Sequence, residues 1–221
     1  MSMESSLTIE SHLQQVKAAL LKMPCQHQLA FAAWCSERLF PVYAVLAEVR
    51  GTNEGHILRD VLDRLWEHVF GQGLSSEEVD ILLSQCDGLE FDTDADIPSD
   101  EIARSLSKAG HIGLGEQNVA QLQASGMDAV GAVWSSLEAC KGDIVNNVTR
   151  AAQCLLERTD GLLWDELSPT SGTIPRDTIG AIHKQIGEHP RMLDACRRMD
   201  EHLKYLQETK RLSRSDPKLV D

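Results

Sequence analysis

The sequence predicts an all-α protein: a single multi-helix bundle with a central buried helix and a C-terminal amphipathic helix. Apolar residues recur at helical spacing along most of the 221 residues, and no segment shows sustained strand alternation bounded by hairpin turns. Hydrophobic content of 42% and charged content of 25% are ordinary for a soluble globular protein. Residues 1–22 lack the uninterrupted apolar core of a secretory signal, so we expect a cytoplasmic protein without a membrane span.

The first two helices follow from their apolar patterns. A first helix, which Pro24 should stop, carries a stripe of Leu7, Leu13, Val16, Leu20 and Leu21. The segment from Gln28 to Val49 has almost no polar face, which is typical of a helix surrounded by others and predicts the central helix. Because Pro41 removes one backbone hydrogen bond inside this segment, we expect the helix to be kinked or divided there.

Two shorter helices and a loop come next. An amphipathic helix is expected from about residue 54 to residue 70. Ser75 and Glu78 give the N-terminal signature of a further helix, which ends near residue 86. Segment 87–99 is too polar to bury and is expected to be a surface loop.

The predicted boundary between two domains lies in the second half of the chain. A helical region from about residue 116 to residue 158 is expected to break at Gly126 and at Lys141–Gly142. Glycine, serine and proline residues indicate a linker at 161–175 between a helical core domain at 1–160 and a C-terminal helical appendage at 176–215. The appendage has a narrow apolar stripe of Met192, Cys196, Met199, Leu203 and Leu206. Such a stripe suits a helix that packs on one partner helix, within the chain or in a homodimer.

The acidic residues are concentrated in one stretch. Between Leu65 and Ala103 there are eleven acids and no Lys or Arg, whereas the remaining 23 acids and 21 bases account for only −2 of the total charge of −13. Carboxylates this close repel one another, so a basic protein partner that offsets the repulsion is the sharper interpretation and a solvated surface the plainer one. A pI near 5.0 argues against binding to nucleic acid.

No constellation predicts a metal, a cofactor or catalysis. Asp92, Asp94 and Asp96 resemble the opening of a calcium loop, but Ile97 stands where that loop needs glycine. The six cysteines are scattered without a CxxC pair and are expected to be buried thiols. The histidines form no zinc motif, the glycines at 110–115 match no phosphate or dinucleotide loop, and no nucleophile-elbow motif is present. We therefore expect no metal, no cofactor and no enzyme activity.

One charged pair, Glu37 and Arg38, is embedded in the predicted central helix. Buried charges need partners, so each of these side chains requires a compensating group nearby. We interpret the pair first as an internal ion pair or a helix-capping pair that specifies packing, and second as part of a ligand site.

Two helical segments carry a resemblance to a known family. Residues of the central helix and of the next helix resemble the motif of the bacterial family called domain of unknown function 416, on Cys35, Glu37, Arg38, Pro41, Tyr43, Arg59, Leu62, Asp63, Trp66 and Glu67. The resemblance implies an all-helical cytoplasmic bacterial protein without established catalysis. It also implies a more distant similarity to helical immunity proteins of interbacterial toxin systems, some of which share a Trp-x-x-Glu-Arg helix like Trp34 to Arg38.

The first functional hypothesis is a cytoplasmic immunity protein that binds and neutralises a cognate bacterial toxin with a basic active-site cleft, directed at nucleic acid or nucleotides. Its carboxylate face would mimic phosphate and speed association. The predicted contact set is Asp87, Glu90, Asp92, Asp94, Asp96, Asp100 and Glu101. The alternative is a small-ligand-binding or enzymatic helical protein with a pocket around Glu37, Arg38, Tyr43, Arg59 and Asp63. A third hypothesis is a structural homodimer through the C-terminal helix.

Overall fold

The computed structural model describes residues 8–89, 119–168 and 176–212, and within these ranges it contains α-helices and one π-helical turn but no β-strand. The helices of these ranges are α1 (Ile9–Leu20), α2 (Cys25–Arg50), α3 (Glu54–Glu67), α4 (Ser76–Asp87), α5 (Val119–Lys141), α6 (Ile144–Leu167), α7 (Arg176–Glu188) and α8 (Pro190–Glu208). The π-helical turn, His68–Gln72, follows α3 directly. The all-α prediction is confirmed.

Helix α2 is the centre of the bundle. It packs against α3, α5, α6 and α8, and Phe31, Leu39 and Tyr43 are fully buried along it. Its segment Cys25–Glu48 is long and apolar enough to cross a membrane. However, 72% of this apolar stretch is buried inside the protein, as expected of a core helix. Pro41 does not divide the helix, because packing on several sides outweighs the one missing backbone hydrogen bond.

The short helices begin where local chemistry satisfies their free backbone groups. In α4, the Glu78 backbone N–H donates to Ser75 Oγ at 3.2 Å, and the Ser75 backbone N–H donates to Glu78 Oε2 at 2.9 Å. These two bonds form the capping box that the sequence predicts. The Ser75 backbone N–H and the guanidinium of Arg64 lower the pKa of Glu78 to about 2. Helix α1 begins with a similar box between Thr8 and Ser11.

Three expectations about the helices are wrong in detail. Helix α5 passes through Gly126 without a break, whereas the predicted break at Lys141–Gly142 is present. Helix α6 continues to Leu167, so residues 161–167 are helical rather than linker, because Leu163 is fully buried and holds this turn in the core. In α1 the buried face includes His12, while Leu21, just past its end, is 67% exposed.

The C-terminal helix docks on its own chain. The stripe of α8 is buried, and the helix contacts α1, α2, α6 and α7. The buried stripe consists of Met192, Cys196, Met199, Leu203 and Leu206. Packing within the chain therefore covers the apolar stripe that suggested a homodimer. The homodimer stays a prediction, and this stripe no longer supports it.

Candidate functional site

Residues of the family motif in α2 and α3 meet in one hydrogen-bonded network. The Arg59 guanidinium donates from Nη1 to Glu37 Oε2 at 2.8 Å and from Nη2 to Glu37 Oε1 at 2.9 Å. Its Nη2 also donates to Asp63 at 2.8 Å, and Trp66 Nε1 donates to Glu37 Oε1 at 3.0 Å. A bidentate pair of this kind joins two helices with fixed geometry. Glu37 thus forms an ion pair between two helices, and its partner is Arg59.

The other motif residues also serve packing. Cys35 is fully buried, and burial raises the pKa of its thiol. Tyr43 is fully buried too, and its hydroxyl donates to the Leu89 carbonyl at 3.4 Å. Arg64 donates to Glu67 and to Glu78, each at 2.8 Å, and so links α3 to α4. These contacts fix helices α2, α3 and α4 relative to one another.

A pocket of about 460 Å³ opens between α2, α6 and α8. Its lining residues are Trp34, Glu37, Arg38 and Pro41 of α2, Leu155, Arg158 and Thr159 of α6, and Ala195 and Arg198 of α8. We refer to it as the arginine pocket. The volume lies within the range of about 300–1,000 Å³ that is usual for small-ligand sites. Of the predicted pocket residues, Glu37 and Arg38 line it, whereas Tyr43, Arg59 and Asp63 do not.

Arg158 is the least satisfied charge in the wall of the arginine pocket. Its Nε is buried without a hydrogen bond, and its side chain makes no hydrogen bond or ion pair with any residue of the described ranges. Burial lowers the pKa of its guanidinium, and the carboxylate of Asp128 opposes that shift. Burial also raises the pKa of Asp128 to about 6. Because arginine is effectively always protonated in proteins, a positive charge stands at this wall.

The remaining charges of the arginine pocket make it locally cationic. Arg38 lies with its Cζ 5.7 Å from the centre of the Trp34 ring, and Arg198 is paired with Asp194 at 2.8 Å. Among the described residues, the lining carries three guanidinium groups and one carboxylate, Glu37. Arg59 offsets the charge of Glu37 and Asp194 offsets that of Arg198, in a chain whose net charge is −13.

Of the predicted acidic contact residues, the structure describes only Asp87. Asp87 is exposed at the end of α4 and accepts a hydrogen bond from Trp134 Nε1 at 3.2 Å. The other members lie outside the described residues: Glu90, Asp92, Asp94, Asp96, Asp100 and Glu101. The calcium-like run from Asp92 to Asp96 lies outside them as well.

The described ranges contain no group of three or more His, Cys, Asp or Glu side chains suited to hold a metal ion. All six cysteines are free thiols. Cys35, Cys86 and Cys196 are buried, as expected, whereas Cys25 is exposed at the start of α2.

Sequence reasoning missed the half of the arginine pocket that α6 and α8 supply. In the sequence, Arg158 and Arg198 are ordinary charged residues beside an apolar stripe, and nothing else marks either of them. The signal that singled out Glu37 and Arg38, charge inside an apolar helix, was absent for both, because their helices are amphipathic.

Comparison with known proteins places the chain in a family. The sequence profile described as protein of unknown function DUF416 matches residues 15–127, which contain every motif residue named above and the α2 side of the arginine pocket. A crystal structure of a DUF416 family protein from Shewanella baltica OS155 is similar, with a TM-score of 0.64 and 17% identity, over 91% of this chain and 86% of that chain. At this identity the likeness concerns the fold. No curated protein matches. Because the profile covers half of its length, this chain belongs to the DUF416 family.

Proposed function

We propose that this protein binds a small molecule with an anionic group in the arginine pocket. The single observation that carries the proposal is Arg158: a half-buried guanidinium that points no hydrogen bond at any described residue while lining a pocket of ligand size. Buried charges are normally paired, since an unpaired one loses its hydration without compensation. A bound anion would supply the missing partner.

The neighbours of Arg158 support an anion rather than a cation. Arg38 and Arg198 add positive charge, and the planar guanidinium fork matches carboxylate and phosphate oxygens in bidentate geometry. Glu37 keeps its bonds to Arg59 and Trp66, so it does not compete for the arginines of the pocket. Leu155 and Pro41 provide an apolar wall for the rest of the ligand.

The test is thermal unfolding and calorimetry with inorganic phosphate, sulfate, succinate, citrate and adenosine monophosphate. We expect at least one anion to stabilise the wild type, by about 2.7 kcal/mol at 100 times its dissociation constant. Arg158→Gln should weaken that binding about 10- to 100-fold, the usual worth of a hydrogen bond to a charged group. Arg150→Gln is the matched control, because Arg150 is exposed on the same helix outside the pocket.

Two results would overturn the proposal. The first is a wild type that none of the five anions stabilises. The second is equal affinity for an anion in Arg158→Gln and Arg150→Gln, since that would place the binding elsewhere.

The acidic stretch between Leu65 and Ala103 favours a second candidate function, a cytoplasmic immunity protein that neutralises a toxin with a basic cleft. Eleven acids without a Lys or Arg give a strongly negative segment, and Asp87 within it is exposed. Such a charge pattern steers basic partners and speeds their association. This candidate needs no catalysis by the chain and is independent of the arginine pocket.

Affinity capture from the native host's lysate tests the second candidate. The baits are the wild type and a variant with charge reversal at Asp92, Asp94 and Asp96, and both are eluted with a salt gradient. A basic toxin retained by the wild type and lost by the variant would support it. Equal on-rates of the captured protein with both baits would contradict the role of the acidic stretch.

A further inference from the structure

A second pocket, of about 440 Å³, lies where the start of α1 meets α6, α7 and α8. We refer to it as the N-terminal pocket. Ile9, Ile186 and Met192 give it an apolar lining, and the last two are 2% exposed. Its polar side chains differ from those of the arginine pocket: among the residues that the structure describes, the lining includes Asp160 and Glu10 but no Lys or Arg.

Asp160 is the key polar group of the N-terminal pocket. Its carboxylate makes no hydrogen bond and no ion pair with any residue in the part of the chain that the structure describes. Burial raises its pKa, and the nearby His183 opposes that shift. By contrast, Glu166, further along the same helix, is paired with Arg191 at 2.9 Å. Asp160 is thus a half-buried acid that lines the cavity beside His183 and has no hydrogen-bonded partner among the described residues.

The sign of the charge in the N-terminal pocket is negative. Asp160 and Glu10 contribute two negative charges when ionised. The start of α1 contributes the equivalent of roughly half a positive charge through its backbone N–H groups. His183 adds at most one positive charge, so even its imidazolium form leaves an excess of negative charge.

We propose that the N-terminal pocket binds an organic cation, a small amine with an apolar body. The ammonium group would pair with the Asp160 carboxylate, and the hydrocarbon part would contact Ile9, Ile186 and Met192. The ammonium group supplies the hydrogen-bonded partner that Asp160 lacks among the described residues, and the apolar lining suits a hydrocarbon body better than a hydrated metal ion. This site is separate from the arginine pocket and from the acidic stretch, and it does not depend on either proposed function.

The test compares hexylamine with hexan-1-ol, which has the same chain without the charge. By calorimetry, we expect the wild type to bind hexylamine about tenfold or more tightly than hexan-1-ol, because a hydrogen bond between charged groups is added to the same apolar contact. Asp160→Asn should abolish this preference while still binding hexan-1-ol. Glu166→Gln, the matched control on the same helix, should retain the preference.

Methyl chemical shifts of the wild type locate the amine without any substitution. Perturbation at Ile9, Ile186 and Met192 supports the proposal, and perturbation confined to other methyl groups overturns it. Equal affinity of the wild type for hexylamine and hexan-1-ol, or a preference that persists in Asp160→Asn, would also overturn it. Because these chemical shifts are measured on the wild type, they test the binding site even if Asp160→Asn fails to fold.

Discussion

Two arginines of this protein, Arg59 and Arg158, are both half-buried but differ in their hydrogen bonds. In each, the Nε is buried without a hydrogen bond. Arg59 directs both terminal nitrogens at carboxylates, with distances of 2.8 to 2.9 Å to Glu37 and Asp63. Arg158 directs none at any described residue and stands in the wall of a pocket instead.

Arg59 therefore stabilises the packing of two helices, whereas Arg158 has donors that no described residue uses. A paired guanidinium between two helices holds them in register, and its removal leaves its partner carboxylate uncompensated. An unpaired guanidinium adds nothing to that register and keeps its donors for a ligand. The family motif selects the first kind, whereas the second lies beyond residue 127, outside the matched region.

The largest effect is expected at Arg59. Arg59→Met should lower the free energy of unfolding by about 3 kcal/mol, because the Glu37 side chain is only 16% exposed and would lose its bidentate partner. Urea unfolding measures the effect. Asp63→Asn removes the other partner of Arg59, but Asp63 is 51% exposed, so this control should cost less than about 1 kcal/mol. Equal losses in the two variants would contradict a structural role centred on Glu37.

His202 differs from both arginines, because burial favours the neutral form of its side chain. It stacks on Trp34, with ring centres 4.4 Å apart, and burial lowers its pKa to about 3, with Arg38 contributing. The unfolded chain, with an ordinary pKa of about 6.5, binds one more proton than the folded chain between these two pKa values. The stabilising contribution is therefore full above pH 6.5 and is lost as the pH falls toward 3.

Unfolding of the wild type and of His202→Phe across pH 7 to 5 isolates that contribution. The wild type should lose about 2 kcal/mol more than the variant over this interval, at about 1.4 kcal/mol per pH unit below 6.5. His12 and the carboxylates titrate in both proteins and cancel in the difference. Parallel stability curves would show that His202 is not held neutral by burial.

The smallest effect is expected at Arg158. Arg158→Met should leave the ligand-free protein as stable as the wild type or raise its stability by about 1 kcal/mol, because the substitution removes a buried charge without a bonded partner. The same urea titration as for Arg59→Met gives the contrast directly. A loss of 2 kcal/mol or more would mean that Arg158 is a structural charge like Arg59.

Much of the fold could be predicted from local chemistry. The capping box of Ser75 and Glu78, the buried face of Gln28 to Val49 and the break after Lys141 depend on residues a few positions apart, and all three are present. The errors occur where distant contacts override local preference. Gly126 stays inside a helix, Pro41 does not divide one, and residues 161–167 remain helical, because contacts with neighbouring helices bury side chains such as Leu39, Val42 and Leu163.

The candidate sites divide in the same way. Glu37 and Arg38 could be recognised because a charge in an apolar helix stands out along the sequence. Arg158, Arg198 and Asp160 could not, since each is an ordinary charged residue of an amphipathic helix until α8 packs across α6. What distinguishes them is their place in the walls of the two pockets, and sequence spacing carries no information about that.

The helical class of this protein, its buried central helix, its acidic stretch and its family motif can be recognised from the order of the amino acids, because periodicity, capping and composition act over short distances. Three features follow instead from the packing of the helices: Arg59 is the partner of Glu37, the stripe of α8 is covered within its own chain, and two pockets of opposite charge flank the contact between α6 and α8. Pairing and cavity formation depend on which side chains meet across helices, and the packing of the whole bundle sets which ones do.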